Sequence, residues 1–268
     1  MSSDDVTYEV IDHVAVITLD APERRNTITP QMLDAIAQQL LRAEQDQDVR
    51  CVVLTGAGTV FCAGLDLAST AKGEGMLDGG GSESSPPPGE LPLRDIPPIV
   101  LHKMDTPTIC ALNGGAAGYG LDVALGCDIR IAHPSVKLAA VFTKRAILPE
   151  SGGTWLLPRL VGWARASEIL FAGKTLTAEE AVEIGLVNRI VDADKVLDEA
   201  MDLATEIAAN APLAVRATKR MMRHAATENF EDHVQRQFLG LLPLMRTKDF
   251  REGAMAYMEK RPPDFQGR

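Results

Sequence analysis

Hydrophobic positions recur along this chain in two rhythms. Residues 8–10 and 13–19 alternate or run apolar, which predicts two short strands joined at Asp12. Residues 30–44 then switch to helical spacing, with Met32, Leu33, Ile36, Leu40 and Leu41 on one stripe. Thr29 stands there as N-cap and Pro30 at the first helical position. Residues 51–55 (CVVLT) and 108–112 (TICAL) are short, almost wholly apolar runs of the kind buried on both faces of a sheet. Residues 96–104 and 118–125 read as helices and 128–132 as a strand. Alternation of strand and helix implies right-handed crossovers and a largely parallel α/β sheet. Past Gly173 the rhythm is helical, over 178–184, 193–209, 214–227 and 229–241, with one short strand at 187–191. Met221, Met222 and Phe230 read as packing residues of those helices. The expected organisation is an α/β core over residues 1–190 and a helical region over 191–268. Between Gly73 and Gly89, twelve of seventeen residues are Gly, Ser or Pro, so a mobile loop is expected at about 72–95. Because the strand–helix rhythm resumes beyond it, this loop lies inside the core and marks no domain boundary.

Two of the buried strands run into glycine-rich turns. The first is Phe61-Cys62-Ala63-Gly64-Leu65-Asp66-Leu67, and the second is Asn113-Gly114-Gly115-Ala116-Ala117-Gly118-Tyr119-Gly120-Leu121-Asp122. In an open α/β sheet, ligands bind beyond the carboxyl ends of the strands, where both turns fall. Small residues let a ligand approach the backbone and free its amides as donors. Two such amides aimed at one carbonyl oxygen form an oxyanion hole, and the N-terminus of a helix opening there favours developing negative charge. Each turn alone is also an ordinary strand-to-helix connection. Gly118-Tyr119-Gly120 lacks the spacing of a dinucleotide fingerprint.

Composition narrows the field. The 268 residues are 46% hydrophobic and 24% charged, which suits a globular protein and argues against general disorder. A formal charge of −10 makes a nucleic-acid partner unexpected, since phosphate contacts need a basic surface. No apolar run reaches the roughly 20 residues that span a bilayer, so no membrane partner is expected. Residues 1–5 lack the basic and apolar regions of a secretion signal, so a cytoplasmic location is expected. Cys51, Cys62, Cys110 and Cys127 sit in apolar surroundings without a CxxC or paired histidines, so they read as buried thiols and no metal site is expected.

Five ordered blocks carry a resemblance. They are Pro22-Glu23-Arg24-Arg25-Asn26, the FCAGLDL turn, NGGAAGYGLDVALGCDIRIA, Leu148-Pro149-Glu150-Ser151-Gly152-Gly153-Thr154, and AVEIGLVNRIV at 181–191. Over residues 6–261 the chain resembles the enoyl-CoA hydratase/isomerase (crotonase) superfamily. The resemblance implies a spiral of ββα units followed by helices used in trimer formation, giving a homotrimer or a dimer of trimers. It implies an acyl-CoA thioester substrate, with coenzyme A as part of that substrate and no separate cofactor. By resemblance the oxyanion-hole amides belong to Leu65 and Tyr119. Coenzyme A would lie along Ala63, Gly64, Asp66 and Leu67 and beside Gly118. Arg24 or Arg25 would face its phosphates, supplying the local positive charge that an acidic chain needs for an anionic ligand; both also read as solvated loop charges. Phe142 and Trp155 would line the acyl pocket.

The reaction turns on the carboxylates. Hydratases of this superfamily use two glutamates about the α- and β-carbons. Counting along the matching blocks puts Asp122 at the first position and Phe142 at the second, so the second hydratase glutamate is missing. Glu150 lies eight residues later, where isomerase branches carry an acid that shuttles a proton between the α- and γ-carbons. The combination implies an enoyl-CoA isomerase using Glu150, with or without Asp122. A hydratase with an unusual acid/base pair and a non-catalytic acyl-CoA-binding homologue stay open. Asp122 and Glu150 each have a bland alternative as acids near helix N-termini. Asp66 reads best as a helix cap and Asp128 as a structural polar residue at a strand start.

Overall fold

A computed structural model describes residues 5–66 and 96–268. Leu67 and the 72–95 loop lie outside the described residues.

The chain opens with a hairpin, β1 (Val6–Ile11) and β2 (Val14–Leu19), paired antiparallel. Its two-residue turn, Asp12 and His13, has positive φ at both positions (45° and 70°), the twist that suits a tight hairpin. Helix α1 (Pro30–Gln45) follows as the apolar stripe predicts, and the Thr29 side chain accepts the Met32 amide. Strands β3 (Cys51–Gly56), β5 (Thr108–Leu112), β7 (Ile129–Ala132) and β10 (Arg189–Ile190) then add in parallel. The main sheet has the order β1-β2-β3-β5-β7-β10.

A second sheet escapes the sequence pattern. It has the order β4-β6-β8-β9, from Val60–Cys62, Gly115–Ala117, Lys137–Ala139 and Thr175–Thr177. These three-residue strands are too short to show a period of two, and Gly115–Ala117 is made of residues with weak strand preference. Two main-sheet strands hand on to a short strand of the second sheet before a helix: β5 to β6 to α3 (Tyr119–Gly126), and β7 to β8 to α4 (Gly153–Val161). The unit β3-β4 precedes α2 (Pro97–Lys103) in the same way. This is the ββα spiral, with β4 and β6 formed within the two glycine-rich segments themselves.

After α4 come α5 (Trp163–Phe171) and α6 (Ala178–Glu183), then α7 (Val196–Ala208), α8 (Pro212–Ala225), α9 (Phe230–Leu244) and α10 (Lys248–Glu259). The expected break at residue 190 misplaces one helix. Val196, Ala200, Ala204 and Ala208 of α7 pack on Val14, Cys51, Val53, Ile109, Ala111 and Ile131, closing the second face of the main sheet. Strands apolar on both faces need that cover, so α7 belongs with the core. Helices α8 and α9 instead carry no buried residue. Met222 and Phe230, expected as packing residues, are 71% and 82% exposed in the single chain. Ion pairs hold α8 to the core: Arg216 with Glu44 at 2.6 Å, Lys219 with Asp128 at 2.7 Å, and Arg220 and Arg223 with Asp105. Asp128 also accepts the amide and hydroxyl of Thr108, the structural part that its place at a strand start suggests.

Asn26 ties the first glycine-rich turn to the core. It is fully buried at φ 53°, a left-handed conformation that Asn tolerates. Its Oδ1 accepts the Ala21 amide at 2.8 Å, while Nδ2 donates to the carbonyls of Ala57, Val60 and Phe61. Removing this side chain strands one donor and several acceptors away from water. Asn26→Ala is expected to cost about 2–4 kcal/mol in a denaturant melt; a loss under about 1 kcal/mol would show that the turn is held by other means.

Candidate active site

The first turn leaves β4 alongside the loop that follows β2. Ala63 N–H donates to Arg25 O at 3.1 Å, Ile28 N–H to Gly64 O at 2.8 Å and Asp66 N–H to Ile28 O at 3.0 Å. Leu65 therefore forms an isolated parallel bridge with Ile28. Because Gly64 O and Asp66 N–H face Ile28, the amide of Leu65 itself points to the opposite side of this extended segment. The second turn lies against the same stretch. Gly64 has φ 98°, and a Cβ there would stand 2.8 Å from Ala117 O and 3.7 Å from Tyr119 N. One turn onward, a Cβ on Gly120 would meet Cys62 O at 2.5 Å. Tyr119 is the first residue of α3, a place whose amide has no carbonyl partner within its own helix. Two amides on adjacent turns are thus left without partners inside their own elements.

The carboxyls stand one helical turn further on. Asp122, in the first turn of α3, is 1% exposed. Its Oδ2 accepts the Ser151 hydroxyl at 2.6 Å and the Gly153 amide at 3.2 Å, both from the start of α4. Its Oδ1 is buried without a hydrogen-bond partner among the described residues. Burial is the main cause that lifts its pKa to about 7; the Ser151 and Gly153 donors oppose the rise, and the Glu150 charge adds to it. A Cβ on residue 153 would sit 2.3 Å from Asp122 Oδ1, so only glycine lets α4 approach this closely. Glu150 is more open, and partial desolvation raises its pKa as well. The Tyr119 phenol is buried and has no hydrogen-bond partner among the described residues. It stays protonated, its pKa raised first by burial and then by the charges of Glu150 and Asp122.

Beside Glu150 opens a cavity of about 370 Å³, lined by Ser151, Gly152, Trp155 and Leu156 on one side. Residues Ile96, Pro98, Ile99, His102 and Lys103 line the other. His102 meets the Trp155 ring edge-on at 5.0 Å, and burial followed by the charges of Arg223, Lys219, Arg159 and Lys103 lowers its pKa.

The structure sorts the expected site residues. It brings Tyr119, Asp122 and Glu150 together, with Ala63, Gly64, Leu65 and Gly118 on the paired turns, and sets Trp155 on the cavity wall. Arg24 is engaged elsewhere: its guanidinium pairs with Asp5 at 2.8 Å and with Glu23 at 3.1 Å. Arg25 is exposed on the loop whose carbonyl holds Ala63, and makes no ion pair among the described residues. Phe142, expected in the acyl pocket, is 2% exposed and is not among the residues lining the cavity beside Glu150. It stands at the head of a 3-10 turn (Thr143–Arg145), an apolar side chain shut away from water. Ser151, Gly153 and His102 were not foreseen. The run of small residues after Glu150 was visible, but nothing in it reveals the reach to Asp122, 29 positions away.

Comparison with known proteins places this chain in a family. The profile described as enoyl-CoA hydratase/isomerase matches residues 9–268. The 1,2-epoxyphenylacetyl-CoA isomerase of Escherichia coli (strain K12) is 38% identical over 259 residues, covering 95% of each chain. The (E)-benzylidenesuccinyl-CoA hydratase of Thauera aromatica is 38% identical over 268 residues, covering 98% of this chain and 99% of the relative. A crystal structure of enoyl-CoA hydratase from Mycobacterium tuberculosis H37Rv superposes with a TM-score of 0.89 at 30% identity, covering 99% and 100% of the two chains. The chain belongs to the enoyl-CoA hydratase/isomerase family and has the crotonase fold. Among the described residues, no helix is long and apolar enough to cross a membrane.

The electrostatics of Asp122 can be checked without substrate. Its pKa in the folded chain, about 7, lies above the ordinary 3.8, so the folded state holds this proton more tightly than the unfolded state does. Stability is then greatest below pH 4 as far as this group is concerned, and is lost as pH rises through 7. Relative to Asp122→Asn, the wild-type chain should lose stability between those limits, by on the order of 4 kcal/mol at most. Parallel stability curves from pH 4 to 8 would show that Asp122 titrates normally.

Proposed function

We propose that the chain isomerises the double bond of an enoyl-CoA by proton transfer through a thioester enolate. The thioester carbonyl accepts the amides of Leu65 and Tyr119, with coenzyme A running along Ala63–Asp66 and its phosphates near Arg25. Coenzyme A enters as part of the substrate, and the chemistry calls on no separate cofactor. A thioester α-proton is too weakly acidic to remove unless donors meet the oxygen as charge builds on it. Glu150, as carboxylate, takes the proton from the α-carbon of a 3-enoyl-CoA. The electron pair spreads over the dienolate, and the same proton is returned at the γ-carbon to give the 2-enoyl-CoA. Its raised proton affinity suits a base that must also give the proton back.

One observation carries this reading: Phe142, at the place of the second hydratase glutamate, is apolar and buried, while Glu150 borders the cavity. Two-base addition of water therefore lacks its second carboxylate. A hydratase remains the second reading because Asp122 occupies the first hydratase position with a pKa of about 7, and a relative at 38% identity is named a hydratase. Incubating the protein with medium-length 3-enoyl-CoA and 2-enoyl-CoA, and following conjugation at the thioester absorbance, separates the two. Conversion of the 3-enoyl substrate, reduced about 10²–10⁴-fold in Glu150→Gln, is the expected result. Hydration of the 2-enoyl substrate at a comparable rate would overturn it.

The same reading includes assembly as a homotrimer or a dimer of trimers. Its support is the apolar surface that α8–α10 leave open, with Phe230 82%, Phe238 63%, Leu239 69%, Tyr257 86% and Met258 73% exposed. Light scattering should give three or six times the chain mass, and a monomer at micromolar concentration would contradict this.

A further inference from the structure

Asp122 has two oxygens in unlike surroundings. Oδ2 takes both donors from the start of α4: the Ser151 hydroxyl at 2.6 Å and the Gly153 amide at 3.2 Å. Oδ1 takes none among the described residues, although it is buried too. When a carboxyl is neutral, its proton resides on the oxygen that is not already accepting two donors. An O–H at Oδ1 then has no acceptor among the described residues, a costly state in a buried site unless a ligand completes it. Ser151 is itself 2% exposed, so water does not compete with its hydrogen bond.

We propose that Ser151 is a positioning residue: its hydroxyl pins Oδ2 of Asp122, leaving the neutral Oδ1–H to donate a hydrogen bond to the bound acyl group while Glu150 moves the proton. This rests on the functional reading above and deepens it, since it assigns Asp122 a working atom and gives Glu150 a partner of different proton affinity. The remaining donors, the amides of Gly153 and of Ser151 itself, belong to the backbone, so among the described residues the Ser151 hydroxyl is the one side chain that sets the orientation. Few other groups bear on it. Glu150 faces Asp122 from the same segment as Ser151; the Tyr119 phenol on α3 and the Cys62 thiol on β4 stand close by. Burial pushes Cys62 up to about 12 and raises Tyr119, so both stay neutral, while partial desolvation raises Glu150.

The test is the pH profile of kcat/KM for Ser151→Ala, with Ser151→Thr restoring the hydroxyl. Asp122→Asn identifies which limb of the wild-type profile belongs to Asp122. Losing a hydrogen bond to the charged form should move that limb upward by about one unit, leave the Glu150 limb in place, and let the Thr variant move it back. A simple fall in activity with both limbs unmoved would overturn the proposal. Titrating the Asp122 carboxyl by carbon-13 NMR in the ligand-free protein gives a second readout: a midpoint raised in Ser151→Ala supports the proposal and an unchanged midpoint contradicts it. Should the wild-type protein turn over neither enoyl-CoA, the functional reading fails by itself, and this titration still decides whether Ser151 governs Asp122.

Discussion

The structure depends on one close approach, between the turn after β4 and the turn after β6. Gly64 lies against the carbonyl of Ala117 and beside the amide of Tyr119, and Gly120 lies against Cys62. Any side chain at these points would force the two turns apart. Their contact places the start of α3 beside Leu65 and presents two amides that have no other use in their own elements. The small second sheet exists to make this approach: β4 and β6 pair in parallel, and Asn26 anchors the first turn from below with its four hydrogen bonds.

Asp122 inherits its properties from that geometry. Starting α3 at the turn contact buries its first-turn acid under the beginning of α4, where Gly153 alone permits the fit. Desolvation then outweighs two hydrogen-bond donors, and a carboxyl ordinarily ionised far below neutrality holds its proton up to about pH 7. Glu150, three residues before Gly153, is less enclosed, and partial desolvation raises its pKa as well. Two carboxyls of different enclosure on one site give the proposed chemistry a buried hydrogen-bond donor, Asp122, beside the base, Glu150.

Much of this was legible in the sequence because it rests on local pattern. The hairpin at Asp12, the α1 stripe with its Thr29 cap, the buried strands and the glycine-rich turns all leave their mark within a few residues. What stayed hidden depends on contacts across the chain. Strands of three residues carry no period, so the second sheet was unseen. The alanine stripe of α7 looks like any amphipathic helix until the sheet face it covers is known. Arg24 and Arg25 were indistinguishable as neighbours, and only the fold shows Asp5 occupying the first. Phe142 is visibly apolar in the sequence, but its near-complete burial depends on the surrounding fold.

The central claim is that the amides of Leu65 and Tyr119 meet at one thioester oxygen. The most direct measurement is the infrared difference spectrum of a bound saturated acyl-CoA, which has no double bond to move, with the thioester carbonyl isotopically labelled. The account predicts a carbonyl band at lower frequency than in water, the mark of two strong donors polarising the bond. A bound ligand whose carbonyl band stays at its aqueous position would contradict it.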